Sequence, residues 1–375
     1  MTVARQSEVK LVYRGVLGAG SYKTVYLVTA ADRPGTLALA VERLPNVQVA
    51  REELRGISVA QELQRSVPPE QRRLFERIDD WWLQSSPTAA FVLDAPVAGS
   101  DDPPHRFTKL PTRLLRPVWL LSLKPVYDMD LDVFRTSAPV PPTLGQTQSF
   151  SGLPLDDEGA LRLAMNLCTA GRLLHERNLI HKDIKPKNIM LQNGLPVLID
   201  FGFAQASPAV TPRSASNTRP NQGERKRVCV SGADGEVNYV LAEDVWRIRA
   251  CREGDQYAMG KTLFEVIFDF PPPPGSPDPR RGTKVLEGGG YVTGPAARRL
   301  NDEFRQRLAS PQAGTLARFR MTPPVSTALL GLVRGLCEKS EPISFADAEL
   351  QLAALVAMVQ DGRATQVRAA PRRQA

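Results

Sequence analysis

The chain has 375 residues, of which 42% are hydrophobic and 23% are charged, a composition typical of a globular protein with one large domain or two lobes. It contains no apolar run of about 18 residues and no secretory signal, so we expect a protein of the cytoplasm without a membrane partner. The net charge is +8, but the basic residues are scattered without interleaved aromatic residues, which argues against nucleic-acid binding.

The first third of the chain is predicted to be rich in β-strands. Two strand-like runs, KLVYRGVLGAG and TVYLVTA, flank a glycine-containing turn, and TLALAVERL follows the turn signal ADRPG. The run NVQVAREELRGISVAQELQRS has helical spacing and ends before VPP. Further on, RPVWLLSLKPV is typical of a short apolar strand and YDMDLDVFR of a short amphipathic helix.

From Asp156 onwards the pattern becomes mainly helical. The run DDEGALRLAMNLCTAGRLLHERN begins with acidic residues, which suit the positive end of a helix dipole. Two apolar strands follow, joined by Asn193-Gly194, the dipeptide preferred in a type I′ hairpin, and further helical runs continue to residue 359. We therefore predict the α+β class, with a small antiparallel β-sheet lobe that carries one helix and a larger, mainly helical lobe after it.

A polar loop and the hairpin behind it carry the chemical signal. The run HKDIKPKNIML places Asp183, Lys185 and Asn188 on one loop, and IDFGFAQ supplies Asp200. Because the Asn-Gly hairpin folds the chain back, Asp200 is predicted to lie beside that loop. Carboxylates, an amide and a cation in one place suit phosphoryl transfer, since divalent ions must bridge the phosphates and a carboxylate must orient the attacking hydroxyl.

These residues resemble the eukaryotic-type protein kinase family, and the lysine two residues after Asp183 resembles its serine/threonine branch. The resemblance implies that Asp183 is the catalytic base and that Lys185 steadies the transferred phosphoryl group. It implies that Asn188 and Asp200 hold magnesium, with Asp200 opening a D-F-G motif. It also implies ATP and Mg²⁺ as cofactors and a protein as the phosphate acceptor.

The resemblance to this family covers most of the chain. We predict a kinase domain over residues 11–358, with an N-terminal lobe over 11–123 and a C-terminal lobe over 127–358. Residues 359–375 are basic and are predicted to form a disordered tail.

Residues downstream of the D-F-G motif are also similar to the family. The run EVNYVLAEDV at 236–245 resembles the end of an activation segment, with Leu-Ala-Glu in place of Ala-Pro-Glu. Asp255 resembles the residue that anchors the catalytic loop, and His181 a packing residue that presents it. The arginine that usually pairs with the activation-segment glutamate is not evident, and Lys182 replaces the arginine of H-R-D.

The glycine-rich loop departs from the family pattern at its third glycine. The resemblance assigns the ATP-contacting positions to Leu17, Gly18, Gly20, Lys23, Val25, Ala40, Glu42 and Glu53. Lys23 stands where the third glycine is expected, and Glu42 stands where the family carries its ATP-contacting lysine. A carboxylate at that position alone would repel the phosphates.

Strand geometry indicates where the missing cation lies. Side chains two residues apart share one face of a strand, so Lys23 shares a face with Val25 and Glu42 shares one with Ala40. A lysine and a carboxylate then converge from neighbouring strands, and Lys23 can supply the phosphate contact. The run GAGSYKTVY resembles the glycine loop of the with-no-lysine kinases, whose lysine lies at this place, although those kinases have a small residue instead of Glu42.

Two glutamates of the first predicted helix are candidates for the lysine's partner. Glu53 has Ile57 one turn on, as the packing in the family requires, whereas Glu62 lies at the better sequence distance but has Ser66 one turn on. We favour Glu53.

We therefore predict an Mg-ATP-dependent serine/threonine protein kinase. One alternative is a pseudokinase that acts as a nucleotide-binding scaffold or allosteric partner, which Glu42 favours and the intact Asp183 and Asp200 oppose. Another is a small-molecule phosphotransferase of related fold, against which the Lys185 pattern argues. Nothing in the sequence indicates an oligomeric state.

Overall fold

The chain divides into two compact units, Met1–Tyr127 and Asp128–Ala375. The computed structural model describes residues 11–19, 23–30, 33–84, 106–107, 118–137, 149–206, 230–231, 249–250, 252–268, 304, 306, 308–309, 319–338 and 342–369. The sequence predicted a change of lobe between residues 123 and 127. Tyr127 belongs to the first unit, where its hydroxyl accepts a hydrogen bond from the Arg77 backbone N–H at 3.4 Å.

The first unit contains a six-stranded antiparallel sheet. Its strands are β1 Leu11–Ala19, β2 Lys23–Ala30, β3 Arg33–Leu44, β4 Asp80–Gln84, β5 Arg106–Phe107 and β6 Val118–Pro125. They are ordered β1-β2-β3-β6-β4-β5, so β3 lies inside the sheet and its residues 37–41 are buried on both faces. This burial explains why TLALAVERL reads as a nearly continuous apolar run rather than an alternating one.

One helix, α1 Val47–Ser66, completes the first unit as predicted. Asn46 begins it, because its side-chain oxygen accepts a hydrogen bond from the Val49 N–H at 2.9 Å. The helix ends before Pro68, since a residue that precedes proline avoids the helical conformation. Its buried stripe is Ala50, Ile57, Ala60 and Leu63.

The second unit is mainly helical. Its helices are α2 Leu131–Ser137, α3 Asp157–Glu176, α4 Arg252–Ile267, α5 Pro323–Leu336 and α6 Phe345–Ala369. Its strands are β7 Met129–Asp130, β8 Ser149–Phe150, β9 Leu153–Pro154, β10 Leu179–Ile180, β11 Ile189–Gln192, β12 Leu195–Leu198, β13 Gln205–Ala206, β14 Val230–Ser231 and β15 Arg249–Ala250. The combination of helices with antiparallel sheets agrees with the predicted α+β class. Within the described part of the chain, no helix has the length and apolarity needed to cross a bilayer.

Helices α3 and α4 form the interior of the second unit. Asp156 caps α3 by accepting a hydrogen bond from the Gly159 N–H at 3.1 Å. All residues of α4 from Asp255 to Ile267 are buried, which means that other parts of the unit surround this helix. Helix α3 packs against α4, α5 and α6.

Helix α6 corrects the predicted end of the ordered domain. It continues to Ala369, although residues from 359 onwards were predicted to be disordered. Their basic composition suggested a tail, but the run up to Ala369 contains no proline and a single glycine, Gly362. A helix can therefore continue residue by residue until Pro371 interrupts the pattern.

Two tight turns pack against each other near the predicted hairpin. Asn193 and Gly194 have φ values of 52° and 77°, and β11 pairs with β12 around them, which confirms the type I′ turn. A second turn at Ser151 and Gly152 has φ values of 49° and 76°. A Cβ atom added to Gly152 would lie 2.7 Å from the Asn193 carbonyl carbon, so this close approach requires glycine.

The substitution Gly152→Ala is expected to lower the free energy of unfolding by about 2–4 kcal/mol, because it combines a left-handed backbone with a backbone clash. Urea denaturation followed by circular dichroism measures this loss. Gly331→Ala is the control, since Gly331 is an exposed helical glycine with open space around its Cα. The control should raise stability by up to about 1 kcal/mol, and equal effects of the two substitutions would contradict the turn-packing explanation.

Candidate functional site

The predicted catalytic loop lies between β10 and β11, and it brings Asp183, Lys185 and Asn188 together. The Asn188 amide nitrogen donates to the Asp183 backbone carbonyl and to its Oδ2, both at 2.8 Å. Lys185 Nζ lies 3.0 Å from the same Oδ2. Since Asp183 is only 3% exposed, these charge-assisted contacts compensate the lost hydration of its carboxylate and fix its orientation.

His181 supports this loop through both nitrogens of its ring. Its Nε2 lies 3.1 Å from the Ile199 carbonyl oxygen, and its Nδ1 lies 3.3 Å from the Asp183 backbone nitrogen. Nε2 therefore carries the proton and donates, while Nδ1 accepts. The ring also packs against Phe201 at a centroid distance of 5.0 Å, so His181 is the packing residue that the sequence predicted.

Asp255 at the start of α4 anchors the loop, as predicted. Its Oδ2 accepts the His181 backbone N–H at 2.8 Å, and its Oδ1 accepts the Lys182 backbone N–H at 2.9 Å. Lys182 has a φ of 72°, a left-handed conformation that costs a residue with a side chain about 1–2 kcal/mol. The two hydrogen bonds to one buried carboxylate stabilise this backbone in its strained form.

Asp200 lies next to the loop through the paired hairpin. The Ile199 N–H donates to the Asn188 carbonyl at 3.0 Å, which brings Asp200, the next residue, to the side of Asn188. Asp200 has a φ of 64°, and its Oδ1 lies 3.4 Å from the Gly202 N–H. The hairpin therefore produces the predicted proximity of Asp200 to the loop.

Asn188 and Asp200 have the chemistry that a magnesium ion requires. Both amide hydrogens of Asn188 point to Asp183, so its amide oxygen is the atom that can coordinate a cation. One or two protein oxygen ligands suffice for Mg²⁺, which keeps several waters and takes the rest from phosphates. Over the described residues, no group of three or more His, Cys, Asp or Glu side chains could hold a metal ion by itself.

In the first unit, Lys23 and Glu42 meet as strand geometry predicted. Lys23 pairs with Glu42, and Val25 with Ala40, in the register of β2 and β3. Lys23 Nζ lies 3.7 Å from Glu42 Oε2, and their side chains are 38% and 13% exposed. At this distance the ion pair is longer than a hydrogen bond, and Glu42 is much the less exposed of the two partners.

The other described positions predicted to contact ATP lie on β1, β2 and β3 of the sheet. Gly18 in β1 pairs with Val25 in β2, and Leu17 is 47% exposed beside it. Ala40 is 3% exposed in the interior of the sheet. Gly20 lies outside the described residues, as does the predicted end of the activation segment at 236–245.

The two glutamates of α1 point in different directions. Glu62 is exposed and lies 3.2 Å from Arg65 Nη2, where both side chains are more than half exposed. Glu53 is half-buried and lies in sequence between Ala50 and Ile57 of the buried stripe. Because an α-helix has 3.6 residues per turn, Glu62 lies on roughly the opposite side of the helix from Glu53. This geometry favours Glu53.

His175 of α3 belongs to the same network, although its role has no sequence signal. Its Nε2 lies 3.3 Å from Asp255 Oδ2, across 80 residues of sequence. The helical periodicity of α3 marks position 175 as buried, but periodicity does not identify the partner of a buried histidine.

Comparison with known proteins identifies the family of the chain. The sequence profile of the protein kinase domain family matches residues 146–341, which is more than half of the 375-residue chain. The chain therefore belongs to the protein kinase family.

Curated relatives match over about a third of the chain. A 125-residue segment, 32% of the chain, is 25% identical to serine/threonine-protein kinase MPS1 of Saccharomyces cerevisiae. Segments of 120 residues, again 32% of the chain, are 28% identical to serine/threonine-protein kinase PknB of Mycolicibacterium smegmatis and 30% identical to Aurora kinase of Saccharomyces cerevisiae. These segments span 16%, 17% and 28% of the three relatives, respectively.

The substitution Asn188→Ala is expected to lower the free energy of unfolding by about 2–3 kcal/mol, because the buried Asp183 carboxylate loses a donor. Thermal or urea unfolding measures the loss. Asn166→Ala is the matched control, since the Asn166 amide donates to the Arg162 carbonyl at a half-buried position in α3, where alanine is the better helix former. An Asn188→Ala effect no larger than that of the control would contradict the structural importance of this contact.

Proposed function

We propose that this protein is a serine/threonine protein kinase that transfers the γ-phosphoryl group of Mg-ATP to a protein hydroxyl. The observation that carries this proposal is the buried Asp183 carboxylate, which Asn188 and Lys185 contact through the same oxygen. Membership of the kinase family supports it, and two of the matched relatives are named serine/threonine-protein kinases.

The loop residues divide the reaction between them. Asp183 orients the acceptor hydroxyl and takes its proton as the acceptor oxygen forms a bond to the γ-phosphorus. The bond from that phosphorus to the bridging oxygen breaks, and ADP leaves with the electron pair. The Lys185 ammonium, 3.0 Å from the Asp183 carboxylate, stabilises the negative charge of the transferred group.

Asn188 and Asp200 are the residues that would hold Mg²⁺, because they provide hard oxygen ligands on adjacent parts of the chain. The ion, when bound, neutralises phosphate charge. Asn188 also holds Asp183 through its amide hydrogens, so one side chain links the metal position to the base. This double use explains why an amide suits position 188 better than a carboxylate, which has no hydrogens to donate.

Lys23 is the proposed phosphate-binding cation of the first unit. Support comes from the strand register, in which Lys23 lies opposite Glu42. Glu42 in turn stands at the position where the family carries its lysine. Glu42 restrains the flexible lysine, but their separation of 3.7 Å is longer than a hydrogen bond. A triphosphate bears several negative charges and can therefore compete successfully with one carboxylate for the Lys23 ammonium.

A scaffold role is the second candidate, and Glu42 is the observation that favours it. Its side chain is 13% exposed, so a partly desolvated carboxylate lies where the family has a cation. If Lys23 serves only to neutralise Glu42, the protein binds nucleotide weakly and transfers no phosphate.

The substitution Asp183→Asn is expected to reduce phosphate transfer to a basic protein by at least about a hundredfold, because the base is lost while the shape is kept. Transfer of label from γ-³²P-ATP with Mg²⁺ measures it. Asp361→Asn, on the exposed side of α6, is the control and should keep full activity. Equal transfer by wild type and Asp183→Asn, or no transfer by either protein, would contradict the kinase proposal.

The substitution Lys23→Met is expected to reduce kcat/KM by about a hundredfold, equivalent to roughly 2.7 kcal/mol, through the lost phosphate contact. Glu42→Gln should change it by less than about tenfold, because a neutral amide leaves the lysine in place. Glu62→Gln is the surface control for the glutamate change. Turnover of Lys23→Met within about twofold of wild type, roughly 0.4 kcal/mol, would show that the lysine has not taken over the phosphate contact.

A further inference from the structure

Helix α3 ends in a tight turn that directs the chain into strand β10. The Arg177 N–H donates to the Leu174 carbonyl at 3.0 Å. The Asn178 N–H donates to the His175 carbonyl at 3.1 Å, so the helix finishes with short-range hydrogen bonds. Asn178 has a φ of 56°, a left-handed conformation that is common directly after a helix. Leu179 then begins β10.

Arg252, the first residue of α4, closes this turn from another part of the unit. Its Nη2 donates to the His175 carbonyl oxygen and to Asn178 Oδ1, each at 2.8 Å. The two acceptors lie 77 and 74 residues before Arg252 in the sequence. One guanidinium nitrogen therefore joins the last turn of α3 to the left-handed residue that follows the helix.

The position of Arg252 is unfavourable within its own helix. The first residue of a helix lies at the positive end of the helix dipole, where acidic residues are favoured, and the first turn of α4 also carries Glu253 and Asp255. At the C-terminal end of α3, by contrast, the dipole favours a cation and the last carbonyl groups need donors. The contact with α3 therefore explains an arginine at this place, whereas the charge pattern of α4 does not.

Strand β10 connects the turn after α3 with both acidic residues of the site. It has two residues, which pair with the two residues of β13. Asp183 lies three residues beyond β10, and Asp200 lies five residues before β13. A ladder of two residue pairs has little stability of its own, so the turn that leads into β10 decides where this ladder forms.

We propose that Arg252 is a positioning residue for the site. It closes the turn after α3, and the closed turn fixes the start of β10, whose pairing with β13 holds the Asp183 loop beside the segment that follows Asp200. The effect on catalysis rests on the proposed kinase function, whereas the effect on the turn and on β10 does not.

Three substitutions separate the parts of this contact. Arg252→Met keeps an aliphatic side chain but removes the charge and the donors. Arg252→Lys keeps a charged donor but replaces the planar guanidinium by a single ammonium group. Asn178→Gly keeps the left-handed backbone without strain and removes the side-chain acceptor. Arg177→Met is the matched control, because Arg177 Nη1 donates to the Leu173 carbonyl within α3.

Amide hydrogen exchange of the peptide containing residues 178–180 is the first measurement. We expect Arg252→Met to accelerate its exchange by about five- to tenfold, because the turn loses a charge-assisted donor. Arg252→Lys should stay within about threefold of wild type, and exchange in α5 should change by less than about twofold. The double variant Arg252→Met/Asn178→Gly should exchange more slowly than the product of the two single effects, because both substitutions remove the same hydrogen bond.

Steady-state phosphate transfer is the second measurement. Arg252→Met should lower kcat by about three- to tenfold with the KM for ATP unchanged, because the substitution displaces the Asp183 loop and leaves the strands of the first unit as they are. Arg252→Lys should recover at least about half of the wild-type kcat, and Arg177→Met should keep it.

Four results would overturn the inference. Exchange at residues 178–180 could be as slow in Arg252→Met as in wild type, or it could rise equally in α5, which indicates a general loss of stability. Arg177→Met could have the same effect as Arg252→Met, or kcat could stay at the wild-type value although exchange is faster. If wild type transfers no phosphate, the kinase proposal fails, and the exchange comparison alone decides whether Arg252 fixes the turn.

Discussion

The backbone of the loop that carries Asp183 depends on one interaction in the second unit. The Asp255 carboxylate accepts hydrogen bonds from two consecutive backbone N–H groups of this loop. The His181 and Lys182 N–H groups bind its two oxygens, and Asp255 itself is 2% exposed. Inside a protein, such charge-assisted hydrogen bonds are strong because little water competes for the donors. They hold Lys182 in a left-handed conformation, and this conformation turns the chain so that Asp183, Lys185 and Asn188 converge. The loop that carries Asp183 is thus held by Asp255, which lies 74 and 73 residues beyond the two donors, as well as by the contacts of Asn188 within the loop.

In the first unit, the corresponding constraint is electrostatic. Glu42 occupies the strand position where the family has a lysine, and a carboxylate there can be compatible with phosphate only if a cation lies close by. In the proposed function, Lys23 is that cation, and its Nζ lies on the neighbouring strand at 3.7 Å from Glu42 Oε2. The long separation of this ion pair suits the proposed arrangement, because the ammonium must be able to exchange the Glu42 carboxylate for a phosphate group. In the second unit, the position of a charged group depends on the burial of Asp255. In the first unit, it depends on the strand register that pairs Lys23 with Glu42.

Several features of the fold and site could be predicted because their causes are local. The type I′ hairpin follows from Asn193-Gly194, since these residues adopt positive φ easily. The meeting of Lys23 with Glu42 follows from the period of two along each strand, once β2 and β3 are paired. By contrast, basic composition at residues 359–375 suggested disorder, whereas α6 continues to Ala369, because composition is a weaker guide than the absence of helix breakers.

By itself, the sequence determined the class of fold, the kinase signature around Asp183 and Asp200, and the candidates Lys23, Glu42 and Glu53. The tertiary structure showed that Glu53 is half-buried and Glu62 exposed, because burial depends on which side of α1 faces the rest of the unit. It also decided that His175 contacts Asp255, that Phe345 packs on His175, and that two glycine turns lie back to back. The physical reason is the range of the interactions. Turn propensity and residue periodicity depend on residues that are close in sequence, so a short run of sequence reveals them. The buried contact between His175 and Asp255 spans 80 residues and forms only when the helices pack.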